Sequence, residues 1–350
     1  MVAIAAASAV TACGESPVEF VVGGLMPSEG GTWSPASSPL KAPFGVDFDS
    51  TETLYIVELY GGRVHRLPRG GELETISQNA TPGYTGDGGE LSQAQFNGMH
   101  NGVISARDEL LISDSWNHCV RRVDLKTQRV DTIAGTGAPG FSGDGGPGTA
   151  ATFDYLMCVA LNPSGTVLHI TDLKNRRIRD LDLATGLVRT VAGNGKRGVP
   201  VDGSPAVESP LVDPRAAVSD AQGNLYILER DGHALRVVKT DGTIHTVAGT
   251  GKSGFQDGPG LESQFAAPKH IECDPSGNVY IADDENRAIR KYDPRTGHVT
   301  TILGRGQGDA RIKLEHPHGV QWYQGDLYVV DTGNNRILRI NAIAEAAHAK

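Results

Sequence analysis

Short apolar stretches that end in an acidic residue recur along the whole chain. In each stretch an apolar pair, such as Tyr55-Ile56 or Tyr280-Ile281, precedes the acid. The six acids are Glu58, Asp114, Asp172, Glu229, Asp283 and Asp331. They recur at intervals of roughly 50 to 60 residues, which is near the period of a propeller blade and too long for a helical solenoid. The pattern therefore predicts a repeat protein built from β-strands.

The segment 265–304 shows the content of one repeat. Apolar runs at 271–273, 279–282, 288–292 and 299–303 are separated by turn residues such as Pro275-Ser276-Gly277-Asn278. Four short strands with turns between them predict one four-stranded antiparallel blade. The same order of runs begins again at Pro43, Asn101, Met157, Pro214 and Pro317. The sequence therefore predicts an all-β fold, a six-bladed β-propeller.

The two ends of the chain complement each other. The last repeat has three runs and no counterpart of the fourth strand, whereas residues 18–23 (VEFVVG) carry that pattern. We expect this N-terminal strand to complete the last blade, which leaves no broken edge in the ring. The predicted organisation is a signal segment at 1–16, the propeller at 18–341 and a tail at 342–350.

Residues 2–12 are small and apolar and lead to Val10-Thr11-Ala12-Cys13. This stretch resembles the lipobox of bacterial lipoproteins, which implies export and lipidation of Cys13. Soluble secretion and a start codon upstream of Met1 are the alternatives. The expected location is the cell envelope, as a lipoprotein or as a periplasmic or secreted protein, with membrane contact through the lipid anchor only.

Charge and cysteine content exclude other classes. The net charge of −9 argues against a nucleic-acid partner, because phosphate binding needs a dominant basic face. Cys119, Cys158 and Cys273 lie in different repeats, so they predict small core residues instead of a disulfide framework.

Matches to G-x-G-x-x-G at 135–140, 193–198 and 249–254 recur at the blade period and open no helix, which favours turns over a dinucleotide-binding site. We expect a monomer.

Three stretches carry a resemblance to a known family. Residues 331–337 (DTGNNRI), 141–146 (FSGDGG) and 317–320 (PHGV) resemble NHL repeats, and the similarity covers about residues 18–341. NHL propellers include lyases, extracellular sensor domains, RNA-binding modules and protein-binding scaffolds. The resemblance thus implies a fold and leaves open whether the protein is an enzyme.

Two rings of residues are expected on one face of the propeller, where the first strands begin and the second strands end. Arginines five or seven positions after the six acids predict that the acids form a structural ring. The second ring is unequal and consists of Phe44, Asn101, Met157, Arg215, Lys269 and His318. It predicts a pocket for a ligand, with Arg215 and Lys269 as a cationic wall for a carboxylate or similar anion. The alternative is a solvated channel mouth without a ligand.

Resemblance to amidating lyases that act on peptidyl-hydroxyglycine implies zinc held by histidines that follow proline. His318 matches that pattern, His270 lies one residue late, and His100 lacks the proline. Lactonase-type propellers imply calcium held by an axial Glu, Asn and Asp, of which the ring supplies only Asn101. The sequence favours an exported propeller that binds a ligand or partner protein at this face. A metal-dependent lyase or hydrolase at the same face is the alternative, with zinc or calcium as its divalent metal.

Overall fold

The computed structural model describes residues 18–23, 39–77 and 81–341. These residues form six antiparallel sheets of four or five strands, which confirms the predicted six-bladed propeller. We number the blades 1 to 6 in chain order and the strands of each blade from the axis outwards. The first strands are Pro43–Phe48, Met99–Ile104, Leu156–Leu161, Pro214–Ser219, His270–Cys273 and Pro317–Tyr323.

The outer strands of each blade follow in chain order. The second strands are Leu54–Glu58, Glu109–Asp114, Val167–Asp172, Leu225–Glu229, Val279–Asp283 and Asp326–Asp331. The third strands are Val64–Leu67, Cys119–Asp124, Arg177–Asp182, Ala234–Val238, Ala288–Asp293 and Arg336–Ile340. The fourth strands of blades 1 to 5 are Glu74–Thr75, Arg129–Ala134, Val188–Ala192, Thr243–Ala248 and His298–Leu303.

Helical structure in the described residues is limited to single 3₁₀ turns. They span Leu91–Gln93, Ser115–Asn117, Gly148–Ala150, Ala206–Glu208, Gly260–Glu262 and Thr332–Asn334. Two-residue strands add a fifth, outermost strand to blades 2, 4 and 5. These are Gly89–Glu90, Ser204–Pro205 and Gly258–Pro259. No helix in the described ranges is long and apolar enough to cross a membrane.

The N-terminal strand Val18–Val22 completes blade 6, as the sequence predicted. It pairs antiparallel with the third strand of that blade, with Val18 opposite Ile340, and the Glu19 carboxylate pairs with Arg339. Val18 is buried in the same apolar cluster as Leu338. The ring is therefore closed by hydrogen bonds between the two ends of the chain.

A repeated apolar residue fills the space between neighbouring blades. It lies three positions before the first strand in five blades and five positions before it in blade 5, and it is buried in all six blades. The residues are Leu40, Phe96, Phe153, Leu211, Phe265 and Leu314. Where this residue is Phe, a guanidinium covers its ring, as Arg179 does over Phe153 at 4.5 Å. The blade interfaces thus use one packing solution repeatedly.

The first strands contact one another in sequence around the ring, and the first strand of blade 6 contacts that of blade 1. Blades 1 and 4, 2 and 5, and 3 and 6 therefore stand opposite each other across the axis. Cys119, Cys158 and Cys273 are free thiols. Cys13 and the proposed signal and tail segments lie outside the described residues, so lipidation and export stay predictions.

Candidate functional site

The six acids occupy equivalent, fully buried positions at the ends of the second strands. Each carboxylate accepts a hydrogen bond from a backbone N–H shortly before the first strand of its blade, for example from Lys41 to Glu58 (2.6 Å) and from Ala266 to Asp283 (2.8 Å). The other four donors are Asn97, Asp154, Val212 and Glu315. A buried backbone donor needs a partner, so each acid fixes the start of the strand that lines the axis.

Arginines neutralise these acids. Arg63 lies 2.6 Å from Glu58 and Arg336 lies 2.7 Å from Asp331, both five positions after the acid. Seven positions after the acid lie Arg121, Arg179, Arg236 and Arg290, at 3.4, 3.7, 2.7 and 2.7 Å from their acids. Arg177 differs from the expected pattern, because it donates to the carbonyls of Asn175 and Asn194 and stacks on Phe141.

Aspartates of the Asp-Gly turns also bind these arginines, which the sequence did not reveal. Asp144 lies 2.8 Å from Arg179, and Asp257 lies 2.6 Å from Arg290. Each turn belongs to the loop that joins two blades, so the arginine ties that loop to the blade that follows. The shared period of the turn aspartates and the arginines is a sequence signal that could have identified these pairs.

Strand register corrects one member of the unequal ring. Pro43 and Met99 pair with the acids of blades 1 and 2, and the residue after each lies in a β-bulge. These bulged residues are Phe44 and His100, so the alignment of Asn101 with Phe44 was wrong by one position. The Gly102-Val103 pair of blade 2 resembles the Gly45-Val46 pair of blade 1, but it lies one residue nearer to the acid of its blade. We define the entrance ring by the equivalent residues Phe44, His100, Met157, Arg215, Lys269 and His318.

Aromatic contacts join one side of the entrance ring. The ring centroid of Phe44 lies 5.1 Å from that of His100 and 4.2 Å from that of His318. Phe44 and Met157 are both buried, although they stand at the mouth of the axial channel. Apolar side chains in this position give the ring a surface that can contact the body of an organic ligand.

Asp284 organises the polar side of the entrance ring. Its carboxylate lies 3.4 Å from the Lys269 ammonium, 3.5 Å from His318 and 2.9 Å from His316. Burial opposes ionisation of Asp284, but the hydrogen bond and charge of His318, with the charge of Lys269, outweigh it and lower the pKa to about 2. Asp284 is therefore ionised, and its carboxylate is already engaged by Lys269, His318 and His316.

His100 is held in a fixed orientation. Its Nδ1 lies 2.8 Å from the Gly98 carbonyl oxygen and 2.8 Å from Ser115 Oγ. Burial, followed by the charge of Arg215, holds the pKa of His100 well below its usual range. The imidazole is therefore neutral at physiological pH, and its Nε2 edge is left for other contacts.

An aromatic rim stands beside His100. Trp116 Nε1 donates to the Tyr155 hydroxyl at 2.8 Å, and the indole packs so closely on Gly98 that a Cβ there would lie 2.4 Å from it. Tyr155 adopts a left-handed backbone conformation with φ of 65°, which costs energy for a residue other than glycine. Strain of this kind persists where surrounding contacts hold a residue in place.

A second layer closes the channel below the entrance ring. Asn101 Nδ2 lies 3.1 Å from His270 Nε2, and Cys158 Sγ lies 3.5 Å from the same nitrogen. Because blades 2 and 5 are opposite, the Asn101–His270 contact spans the axis. A Cys-His-Asn group suggests a nucleophile, but burial raises the pKa of Cys158 to about 12 and lowers that of His270 to about 4. The thiol stays protonated, so this layer is a plug and not a nucleophilic centre.

Glu272 and Gln321 line a cavity of about 80 Å³ below the plug, and the Asp47 carboxylate lies next to Gln321. Asp47 accepts hydrogen bonds from the Ile104 N–H (2.6 Å) and from Gln321 Nε2 (3.0 Å). Burial raises the pKa of Asp47 to about 7, and burial together with the charge of Asp47 raises that of Glu272 to about 8. These two acids therefore resist simultaneous ionisation.

The three histidines proposed as metal ligands divide between two layers. His100 and His318 belong to the entrance ring, whereas the Nε2 of His270 is engaged by the plug. In the ranges that the structure describes, no three His, Cys, Asp or Glu residues are grouped as a metal site. The residues present therefore do not fit a three-histidine zinc centre, and the entrance ring contains no acid for calcium. Zinc or calcium stays a prediction without a ligand set.

Two larger cavities lie on the opposite face, away from the entrance ring. One of about 550 Å³ lies between blades 2 and 3 and is lined by residues such as Arg107, Leu111 and Leu183. The other, of about 510 Å³, lies beside the closing strand and is lined by Phe48, Tyr323 and neighbouring residues. These two cavities are the alternatives to the entrance ring as a ligand site.

The chain is similar to NHL-repeat proteins, although no family model matches it. It is 27% identical over 326 residues to SUPPRESSOR OF QUENCHING 1 of Arabidopsis thaliana, covering 87% of this chain and 31% of that protein. It is 24% identical over 340 residues to human NHL repeat-containing protein 2, covering 86% of this chain and 46% of that protein. The chain thus spans less than half the length of these relatives.

Solved structures share the fold at low sequence identity. An auxiliary nutrient binding protein from Bacteroides ovatus superposes with a TM-score of 0.65 at 13% identity, covering 92% of this chain and 75% of that one. A streptogramin B lyase superposes with a TM-score of 0.57 at 13% identity, covering 93% and 97%. At this identity the likeness concerns architecture alone.

Proposed function

The chain is an NHL-repeat six-bladed β-propeller, and from this premise we propose that it binds a small organic ligand at the entrance ring. Propellers commonly place function at the mouth of the axial channel, where side chains from every blade converge. Here six side chains of five residue types meet above a plug that closes the channel. A ligand would enter from the face that carries the ring and stop at the plug.

One observation carries the proposal. The residue type repeats from blade to blade in the ring of structural acids, but it does not repeat in the neighbouring entrance ring. The structural acids are conserved in kind and contact from blade to blade. The entrance ring lies at the start of the neighbouring first strands and holds Phe, His, Met, Arg, Lys and His. A symmetric scaffold would repeat one residue type at this position, whereas a site for an asymmetric ligand needs different side chains there.

The fold neighbours agree with ligand binding as a general role. Two of them are described as auxiliary nutrient binding proteins of Bacteroides species. They support a binding propeller and do not identify the ligand of this chain, since fold and function are not tied. A small ligand fits better than a protein surface, because the ring residues are mostly buried and a protein would have to insert a segment to reach them.

A ligand screen with matched variants tests the proposal. Thermal unfolding is measured for the wild type with a library of small acids, amines and neutral compounds, and again for Phe44→Ala. A Tyr323→Ala variant, altered on the opposite face, serves as control. Compounds that raise the midpoint of the wild type and of Tyr323→Ala, and lose their effect in Phe44→Ala, support the proposal. Hits that keep their effect in Phe44→Ala and lose it in Tyr323→Ala contradict it.

We also propose that the protein works in the cell envelope, on the basis of the lipobox-like residues 10–13. In a bacterial host, metabolic labelling with a fatty acid should mark the wild type, and Cys13→Ser should abolish the label. A Cys119→Ser variant controls for labelling elsewhere. Label that survives in Cys13→Ser would contradict lipidation at this residue.

A further inference from the structure

Arg215 is a buried arginine that has no partner among the described residues. It is one of six buried arginines in the described residues, the others being Arg121, Arg179, Arg236, Arg290 and Arg336. Those five each pair with a structural acid. Arg215 is only 4% exposed, and no described residue accepts a hydrogen bond from its guanidinium or forms an ion pair with it. Burial of an unpaired charge is costly, so its persistence needs a reason.

The acids near Arg215 are occupied by other cations. Asp213 lies 2.9 Å from Arg230 Nε, and Asp231 lies 3.1 Å from the same nitrogen. Asp284 is shared by Lys269 and His318, as described above. None of these carboxylates is left to pair with Arg215. Among the described residues, Arg215 therefore has no carboxylate within ion-pair distance.

The charge of Arg215 is fixed and faces the axis. Burial, followed by the charge of Arg230, lowers the pKa of Arg215 to about 10, so the guanidinium stays protonated at physiological pH. Its charge also lowers the pKa values of His100, His270 and His318, which surround the axis in three different blades. An axial position for the guanidinium accounts for its effect on all three.

We infer that the ligand of the entrance ring is an organic anion whose carboxylate pairs with the Arg215 guanidinium while its apolar body contacts Phe44 and Met157. This inference rests on the proposed function and names the class of ligand. Blades 1 and 4 are opposite, so Phe44 faces Arg215 across the ring, and Met157 stands in the blade beside it. A planar guanidinium with free N–H groups recognises a carboxylate through two parallel hydrogen bonds.

A matched pair of probes isolates the charge. Phenylacetate and phenylacetamide have the same aromatic body, and only the first is an anion. Binding of each at millimolar concentration is measured by calorimetric titration and by the shift in unfolding midpoint, at low ionic strength. The variants are Arg215→Met and, as an exposed control, Arg189→Met. Phenylacetate should bind the wild type and Arg189→Met, and Arg215→Met should weaken it roughly 10- to 100-fold.

Stability without ligand gives a second readout. Arg236, in the same blade and equally buried, pairs with Glu229 at 2.7 Å, so Arg236→Met should lower the unfolding midpoint. Arg215→Met deprives no carboxylate of its cation, so it should leave the unfolding midpoint unchanged or raise it. A fall as large as that of Arg236→Met would show that Arg215 is structural and would overturn the inference.

The outcomes separate the two proposals. If both probes bind the wild type equally and Arg215→Met keeps both, the entrance ring binds ligands but selects no anion, and only the inference fails. Failure of phenylacetate to bind the wild type also overturns the inference, whereas the proposed function then depends on the wider ligand screen alone.

Discussion

Arg290 has no exposed surface and yet carries a full charge. It donates to Asp283 (2.7 Å) and Asp257 (2.6 Å) and to the carbonyl oxygens of Gln256 and Gln264. A guanidinium with five N–H groups is suited to such a role, because it can satisfy several acceptors in one plane. The same residue type at Arg215 has none of these partners. Among these buried arginines, a paired guanidinium such as that of Arg290 stabilises the fold, whereas the guanidinium of Arg215 is available to a ligand.

Loss of Arg290 should destabilise the protein strongly. Arg290→Met leaves Asp283 and Asp257 without their cation, and one of these acids is fully buried. The expected loss in free energy of unfolding is about 3 to 5 kcal/mol. Urea denaturation measures it, with Arg295→Met, which is exposed and pairs with Asp293, as control. A loss as small as that of the control would mean that the buried pair contributes little.

Glu272 should make stability depend on pH. Its pKa in the folded protein is raised to about 8, so the stability that its protonated form contributes is complete at low pH and is lost as pH rises toward 8. The groups that face it are Asp47, also raised, and the neutral plug residues Asn101 and His270. Glu272→Gln cannot ionise. Its unfolding midpoint should therefore fall less than that of the wild type between about pH 5 and pH 8.

The two pH profiles decide this prediction. A variant with the same slope as the wild type would show that Glu272 ionises freely in the channel. Asp326→Asn, which changes a partly exposed strand residue on the opposite face, is the control and should leave the slope unchanged.

Strands were predictable here because each blade repeats the same apolar runs. The runs read at 271–273, 279–282, 288–292 and 299–303 differ from the observed strands by at most one residue at either end. Register inside a strand was harder, as Asn101 shows. The β-bulge at the start of the first strand adds a residue, and a glycine one position later in blade 2 imitates the motif of blade 1. The spacing between His100 and Asp114 equals that between Phe44 and Glu58, and this spacing indicates the correct register.

The closing strand should be needed for stability. Removal of residues 1–23 leaves the third strand of blade 6 with an open edge and exposes apolar residues such as Leu338 that pack against Val18. The unfolding midpoint should fall sharply. Removal of residues 1–17, which spares the strand, is the control. Equal melting curves for the two truncations would contradict closure by this strand.

For the whole molecule, closure and symmetry explain what the sequence could and could not predict. Features that recur in every blade, such as the structural acids, were visible as a period. The binding properties of the entrance ring depend on residues that occur once, and on distances across the axis between blades that are far apart in sequence. The Asn101–His270 contact and the unpaired state of Arg215 are of this kind, because only the closed ring brings opposite blades together.

The central claim is that the entrance ring is the ligand site. A crystal structure of the full chain with the compound that most raises its unfolding midpoint tests this directly. We expect electron density for the compound at the mouth of the channel, in contact with Phe44 and with the Arg215 guanidinium. Density in the cavity between blades 2 and 3 on the opposite face, with an empty entrance ring, would contradict it.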